Sequence, residues 1–160
     1  MRKKLQGFTV VELVIVLVLM TLLGAAVVPN MTLIYRQQIQ KTANTLGMDL
    51  ATLRNQARAS GKEYTLELDA EHLHYTMTSE GGAVSALHKE DADNGRNITI
   101  TMTAGGIDIT KLRFKGNDML DPSDTVIENC TFKIEYKDYS EYGEATFDQV
   151  SGKFSFEMKS

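Results

Sequence analysis

The sequence predicts an α+β fold, with one long N-terminal helix packed on a domain of short antiparallel strands. Three observations predict it. A long apolar run extends from Phe8 to Val28, with Glu12 its one charged residue. Apolar residues then recur every three or four positions from Ile39 to Ala57, the period of a helix face. After Gly61 the period changes to two, the period of strands. A single change from helical to strand periodicity segregates the two kinds of structure, as in α+β domains.

Residues 8–29 are the hydrophobic segment. As a helix, Phe8 to Val28 spans roughly 32 Å, about the thickness of a bilayer's hydrocarbon core. Arg2, Lys3 and Lys4 precede it and no comparable basic cluster follows at once. That asymmetry keeps the N-terminus cytoplasmic and predicts a single-pass membrane protein with its C-terminal part outside. Glu12 lies inside the run, and a carboxylate at the centre of a membrane helix costs about 2.5–3.5 kcal/mol. A simple anchor gives no reason for it. A signal peptide cut near Gly24-Ala25-Ala26 suits the small residues there, but not the length of the run or Glu12. Pro29 removes a backbone donor and marks a bend or boundary at the end of the span.

Residues 30–61 are predicted as an amphipathic helix. Ile39, Ala43, Leu46, Leu50, Leu53 and Ala57 are spaced 4, 3, 4, 3, 4 and share one face. The intervening Gln, Lys, Asn, Asp and Arg suit water. Small residues on the seam favour packing on a sheet over a coiled coil. Gly61 is the expected C-terminal cap.

Residues 62–160 are predicted as a β-rich domain outside the cytoplasm. Tyr64 to Leu68 alternates, and Leu73, Tyr75 and Met77 read as the returning strand of a hairpin. Five further alternating stretches follow, at Ile98–Met102, Leu112–Phe114, Phe132–Tyr136, Ala145–Phe147 and Phe154–Met158. The total is about seven strands, with turns at Gly81-Gly82, Gly105-Gly106, Gly116-Asn117 and Gly152. Ser79 to Asn97 and Asp118 to Asn129 read as long loops.

At 42% hydrophobic and 24% charged the composition excludes disordered and collagen-like classes. Formal net charge is −4. Without Arg2, Lys3 and Lys4, 14 of the 17 basic residues face 21 acidic ones, a balance of −7. Tight non-specific nucleic-acid binding needs clustered basic charge, so this balance weighs against it. Cys130 is the one cysteine, which excludes an intrachain disulfide and suits a small core residue. His72 and His74 are two apart and would share a strand face, but no third metal ligand accompanies them. Asp118, Asp121, Asp124 and Glu128 lie on one loop without the spacing of an EF-hand. No metal site, cofactor or catalytic residue is assigned, and the chain reads as a non-enzyme.

The order of basic leader, Gly7, Phe8, Thr9, two valines, Glu12 and an unbroken apolar stretch resembles the leader of type IV pilins and pseudopilins. The resemblance implies that a prepilin peptidase and methyltransferase removes residues 1–7 and N-methylates Phe8. It implies that Glu12 pairs with a Phe8 ammonium, of its own chain or of a neighbour, and sets subunit register in a filament. Many pilins carry a proline where Pro29 stands, so Pro29 joins Glu12 as an assembly residue. The helix end at Asp49–Arg58 and the hairpin around Gly152 are similar, more loosely, to H-type minor pseudopilins of type II secretion (GspH/FimT-like). The implied partners are other pilins or pseudopilins, an inner-membrane assembly platform and membrane lipid. The implied roles are protein secretion, pilus biogenesis or DNA uptake (competence). Some minor pilins bind DNA, and Lys111, Arg113 and Lys115 form the one basic stripe here; the acidic balance counts against that contact. The alternative from another class is a membrane-tethered binding module that does not polymerise.

Overall fold

The computed structural model describes residues 9–26, 31–72, 74–80, 82–83 and 97–160. The chain divides into two compact units, Met1–Leu33 and Ile34–Ser160. In the first, α1 runs from Val10 to Ala26. Its described side chains, Val10 to Thr21, are all exposed, and Glu12 is its one ionisable residue. A helix that is apolar all round calls for apolar surroundings. The 17 residues of α1 measure about 25 Å. Among the described residues no helix is long and apolar enough to cross a membrane. Phe8 and residues 27–29 of the predicted segment lie outside the described residues.

The helix α2 spans Met31–Ser60, and from Ile34 onward it is the spine of the second unit. All six predicted seam residues, Ile39, Ala43, Leu46, Leu50, Leu53 and Ala57, are fully buried. Burial of each large aliphatic side chain contributes about 1.5–3 kcal/mol. The helix ends as the sequence predicts. Gly61 takes a left-handed φ of 68°, and its N–H donates to the Ala57 carbonyl at 2.9 Å.

Among the described residues ten strands follow, not about seven, and they form two antiparallel five-stranded sheets. In chain order they are β1 (Glu63–Leu68), β2 (Tyr75–Ser79), β3 (Gly82–Ala83), β4 (Ile98–Ala104) and β5 (Ile107–Ile109). Then come β6 (Lys111–Lys115), β7 (Asp118–Leu120), β8 (Asn129–Tyr136), β9 (Tyr142–Asp148) and β10 (Phe154–Lys159). The first sheet has the order β3-β2-β1-β6-β7, and the second β10-β9-β8-β4-β5. The chain therefore passes between sheets three times. Strands β3 and β7 fall inside the two stretches read as loops, and both are too short to display a period of two. Leu120 also bridges to Val126 in the second of those stretches.

The inner faces alternate as predicted. In β4 Ile98, Ile100, Met102 and Ala104 are buried, and in β8 Cys130, Phe132 and Ile134. Phe114 of β6 meets Phe147 of β9 edge-on at 5.9 Å, which joins the two sheets through one aromatic contact. Glycine lets the sheet approach α2 closely. The ring of Phe154 occupies the place of a side chain at Gly47, where a Cβ would stand 2.6 Å from Cδ1. A helix-interior glycine costs up to about 1 kcal/mol against alanine. Here it admits an aromatic side chain of the last strand.

Candidate functional site

The start of α1 holds the first candidate site. Thr9 precedes the helix, and its carbonyl accepts the first helical bond, from Leu13 N–H at 3.1 Å. Its backbone N–H and its hydroxyl both donate to Glu12 Oε2 at 2.9 Å. The Glu12 N–H donates back to Thr9 Oγ1 at 3.3 Å. This is a capping box, in which residues three apart satisfy each other's orphan backbone donors. The sequence carried its signature, Thr-x-x-Glu before an apolar run, but the leader pattern claimed both residues for another purpose. The box leaves Oε1 of Glu12 uninvolved in those bonds. Gly7, Phe8 and Pro29 lie outside the described residues, so the expected Glu12–Phe8 pairing is neither made nor excluded.

The predicted basic stripe does share one face of β6. Its cations are met by carboxylates from the neighbouring strand and loop. Lys111 lies 3.7 Å from Glu67, and Arg113 lies 3.6 Å from Glu63 and contacts Asp124. Arg113 Nη2 also donates to the Asp121 carbonyl at 2.9 Å. Lys115 stands in register with Glu63 on one side and Asp118 on the other. The stripe is thus interleaved with negative charge.

His72 and His74 do not share a strand face. Both lie in the connection between β1 and β2, where His72 has a left-handed φ of 57°. Among the described residues no group of three or more metal-ligating side chains gathers. In the acidic loop, Asp121 Oδ1 is occupied by the loop itself. It accepts from the N–H groups of Ser123 and Thr125, each at 2.9 Å, and from the Ser123 hydroxyl at 2.8 Å. Cys130 is fully buried, and burial pushes its thiol up to about 12.

Sequence reasoning missed the polar side chains that fasten α2. Asp49 and Arg54 were read as water-facing, yet Asp49 is 2% exposed and Arg54 8%. Tyr75 of β2 donates to Asp49 Oδ2 at 2.6 Å. Arg54 donates from Nε to the Gln149 carbonyl at 3.0 Å and from Nη2 to that of Val150 at 2.9 Å. Desolvation, aided by nearby Arg58, pulls the Arg54 pKa below its ordinary value, yet guanidinium stays charged at any working pH. At the other end of α2, Arg36 makes a two-point ion pair with Glu141, both contacts at 2.6 Å. The helix is thereby held to both sheets by polar contacts reaching 26 to 105 residues along the chain. Such partners leave no local trace in sequence.

Three carboxylates of the second unit predict a pH profile. Asp148 is held below the ordinary range by the Ser151 N–H, Asp121 by the Thr125 N–H, and Glu141 by the Arg36 guanidinium. A depressed folded-state pKa contributes stability that is fully present above the unfolded value and lost as pH falls through the folded one. Urea midpoints are therefore expected to stay level from neutral pH to about 5 and to fall once pH drops below about 4. A midpoint that rises on acidification contradicts these assignments.

The structure is similar to that of the type IV minor pilin FimU of Pseudomonas aeruginosa (strain PAO1). The TM-score is 0.51 at 17% identity, over 76% of this chain and 90% of that one. It also matches the minor pseudopilin EpsH from the type 2 secretion system of Vibrio cholerae, with a TM-score of 0.49 at 15% identity, over 75% of this chain and 96% of that one. The sequence itself matches no family model and no curated protein. The likeness to FimU establishes the fold, a pilin-like α+β arrangement of a long helix and antiparallel sheets.

Proposed function

We propose that this chain is a minor pilin or pseudopilin subunit, made as a membrane precursor and assembled through its N-terminal helix into a filament. The observation that carries the reading is the start of α1. One carboxylate, Glu12, stands in the first turn of α1 as that helix's one ionisable residue, five positions after Gly7. The pilin-like fold of the second unit supports it, as does the naming of the similar FimU structure as a type IV minor pilin.

In this reading a prepilin peptidase cleaves between Gly7 and Phe8 and methylates the new Phe8 amine. The Thr9 N–H that caps Glu12 belongs to the Phe8–Thr9 peptide, so the capping box survives that cut. Cleavage adds a cation one residue before the cap. Glu12 Oε2 is engaged by Thr9, and Oε1 is the oxygen available to an ammonium. A buried carboxylate needs such a partner once the helix lies in an apolar setting. Residues 8–29 hold the precursor in the inner membrane, with the N-terminus cytoplasmic and the β-rich unit outside. Pro29 marks the end of the span. The partners are other pilins or pseudopilins, the inner-membrane assembly platform and lipid. The filament serves secretion, pilus biogenesis or DNA uptake. The carboxylates set among Lys111, Arg113 and Lys115 argue against DNA contact at that face.

Intact-mass analysis of the membrane-extracted protein tests the reading. The expected mass lacks residues 1–7 and carries one added methyl group. A mass matching the whole chain, or one starting at Val27, overturns it.

A further inference from the structure

The entry point of the chain into the second unit has a distinctive composition. Tyr35 of α2 stacks on Tyr136 at 4.4 Å between ring centroids and lies 5.2 Å from Tyr139. All three rings are half-buried. Ile34 beside them is 37% exposed. The Arg36–Glu141 ion pair flanks the rings, and Lys137 and Asp138 occupy the turn that carries Tyr139. Tyrosines pair an apolar ring with a polar tip, and together with basic side chains they collect at the boundary between lipid and water.

We propose that this end of the unit is an interfacial face that rests in the headgroup layer of a phospholipid bilayer while the subunit awaits assembly. The proposal rests on the membrane reading of residues 8–29 given above. Two further observations support lipid as the occupant. First, the tether is short. Four residues separate Ala26, the end of α1, from Met31, the start of α2, which is at most about 18 Å of chain over the five steps. Tyr35 follows within about 6 Å of helix. Second, the charge is suited. Residues 8–160 carry a balance of −7, which an anionic lipid surface repels. At this end Arg36 and Lys137 offset Glu141 and Asp138, so the face is locally neutral. The opposite end of α2, where Arg54 holds the β9–β10 turn, lies about 27 Å farther along the helix.

The chain contains no tryptophan, so each introduced one is a unique reporter. Four variants of the whole chain, Tyr139→Trp, Lys137→Trp, Val150→Trp and Val18→Trp, are reconstituted into phosphatidylcholine–phosphatidylglycerol vesicles. Part of the lipid carries bromines high on its acyl chains, which quench nearby indole emission. Lys137 is exposed, so its reporter stands even where Tyr139→Trp disturbs packing. The expected result is strong loss of emission from the Tyr139→Trp, Lys137→Trp and Val18→Trp variants, and none from Val150→Trp. Quenching of Val18→Trp with full emission from both Tyr139→Trp and Lys137→Trp overturns the interfacial face and leaves the membrane reading standing. Equal quenching of Val150→Trp and Lys137→Trp also overturns it. Full emission from Val18→Trp overturns the membrane reading, and the interfacial face with it.

Discussion

Replacing Glu12 by alanine is expected to leave removal of residues 1–7 intact and to abolish recovery of the subunit in sheared filaments. Two effects are lost at once. One is the cap that Thr9 and Glu12 form at the start of the helix. The other is the charge that the proposed pairing with the Phe8 ammonium requires, since an ammonium left without its carboxylate away from water is strongly unfavourable. Glu12→Gln separates the two, because glutamine also completes a capping box. If the cap alone matters, Glu12→Gln assembles and Thr9→Ala fails. If the charge matters, Glu12→Gln fails like Glu12→Ala, and Thr9→Ala is only weakened. The second outcome is expected. Normal filament incorporation of Glu12→Ala sinks the assembly role altogether.

Gly143→Val is expected to destabilise the β-rich unit by about 2–3 kcal/mol and lower its melting temperature by about 10 °C. Local preference argues the other way, since valine suits a strand better than glycine by up to about 1 kcal/mol. Packing decides. A Cβ at Gly143 would stand 2.5 Å from Phe156 Cε2 and 2.6 Å from Ile39 Cγ2. It would push α2 and β10 off β9 together. Thr146→Val, at a half-buried position on the opposite face of the same strand, is the control and should melt close to the parent. Thermal unfolding followed by far-ultraviolet circular dichroism checks both. A Gly143→Val protein as stable as the parent would show that the helix seats less closely than its geometry states.

Different parts of the molecule were legible to different degrees. The seam of α2 was fully readable, because a 3–4 spacing over nineteen residues has no other regular explanation and all six residues are buried. The longer strands were readable for the same reason. The partition into two sheets was not, since β1 pairs with β6 across an intervening hairpin of the other sheet, and hydrophobic alternation says nothing about which strand comes alongside. Strands of two or three residues escaped because they are shorter than one alternation. At the candidate site the carboxylate of Glu12 was conspicuous by its setting, whereas its hydrogen-bond partner was read only as part of a leader. Asp49 and Arg54 were misread because a polar residue on a helix is ordinarily solvated. Only the tertiary positions of Tyr75 and of the Gln149 and Val150 carbonyls turn them into buried fasteners.

The single thiol of this chain has a practical consequence. Cys130 lies in β8, between β4 and β9, with no exposed surface, and its proton is held far above neutral pH. To a maleimide the native molecule is chemically blank. A cysteine engineered at an exposed position, such as Met48 on the open side of α2, would be the sole reactive group. Distances between neighbouring subunits can then be mapped by crosslinking pairs of such positions, without first removing a residue from the core.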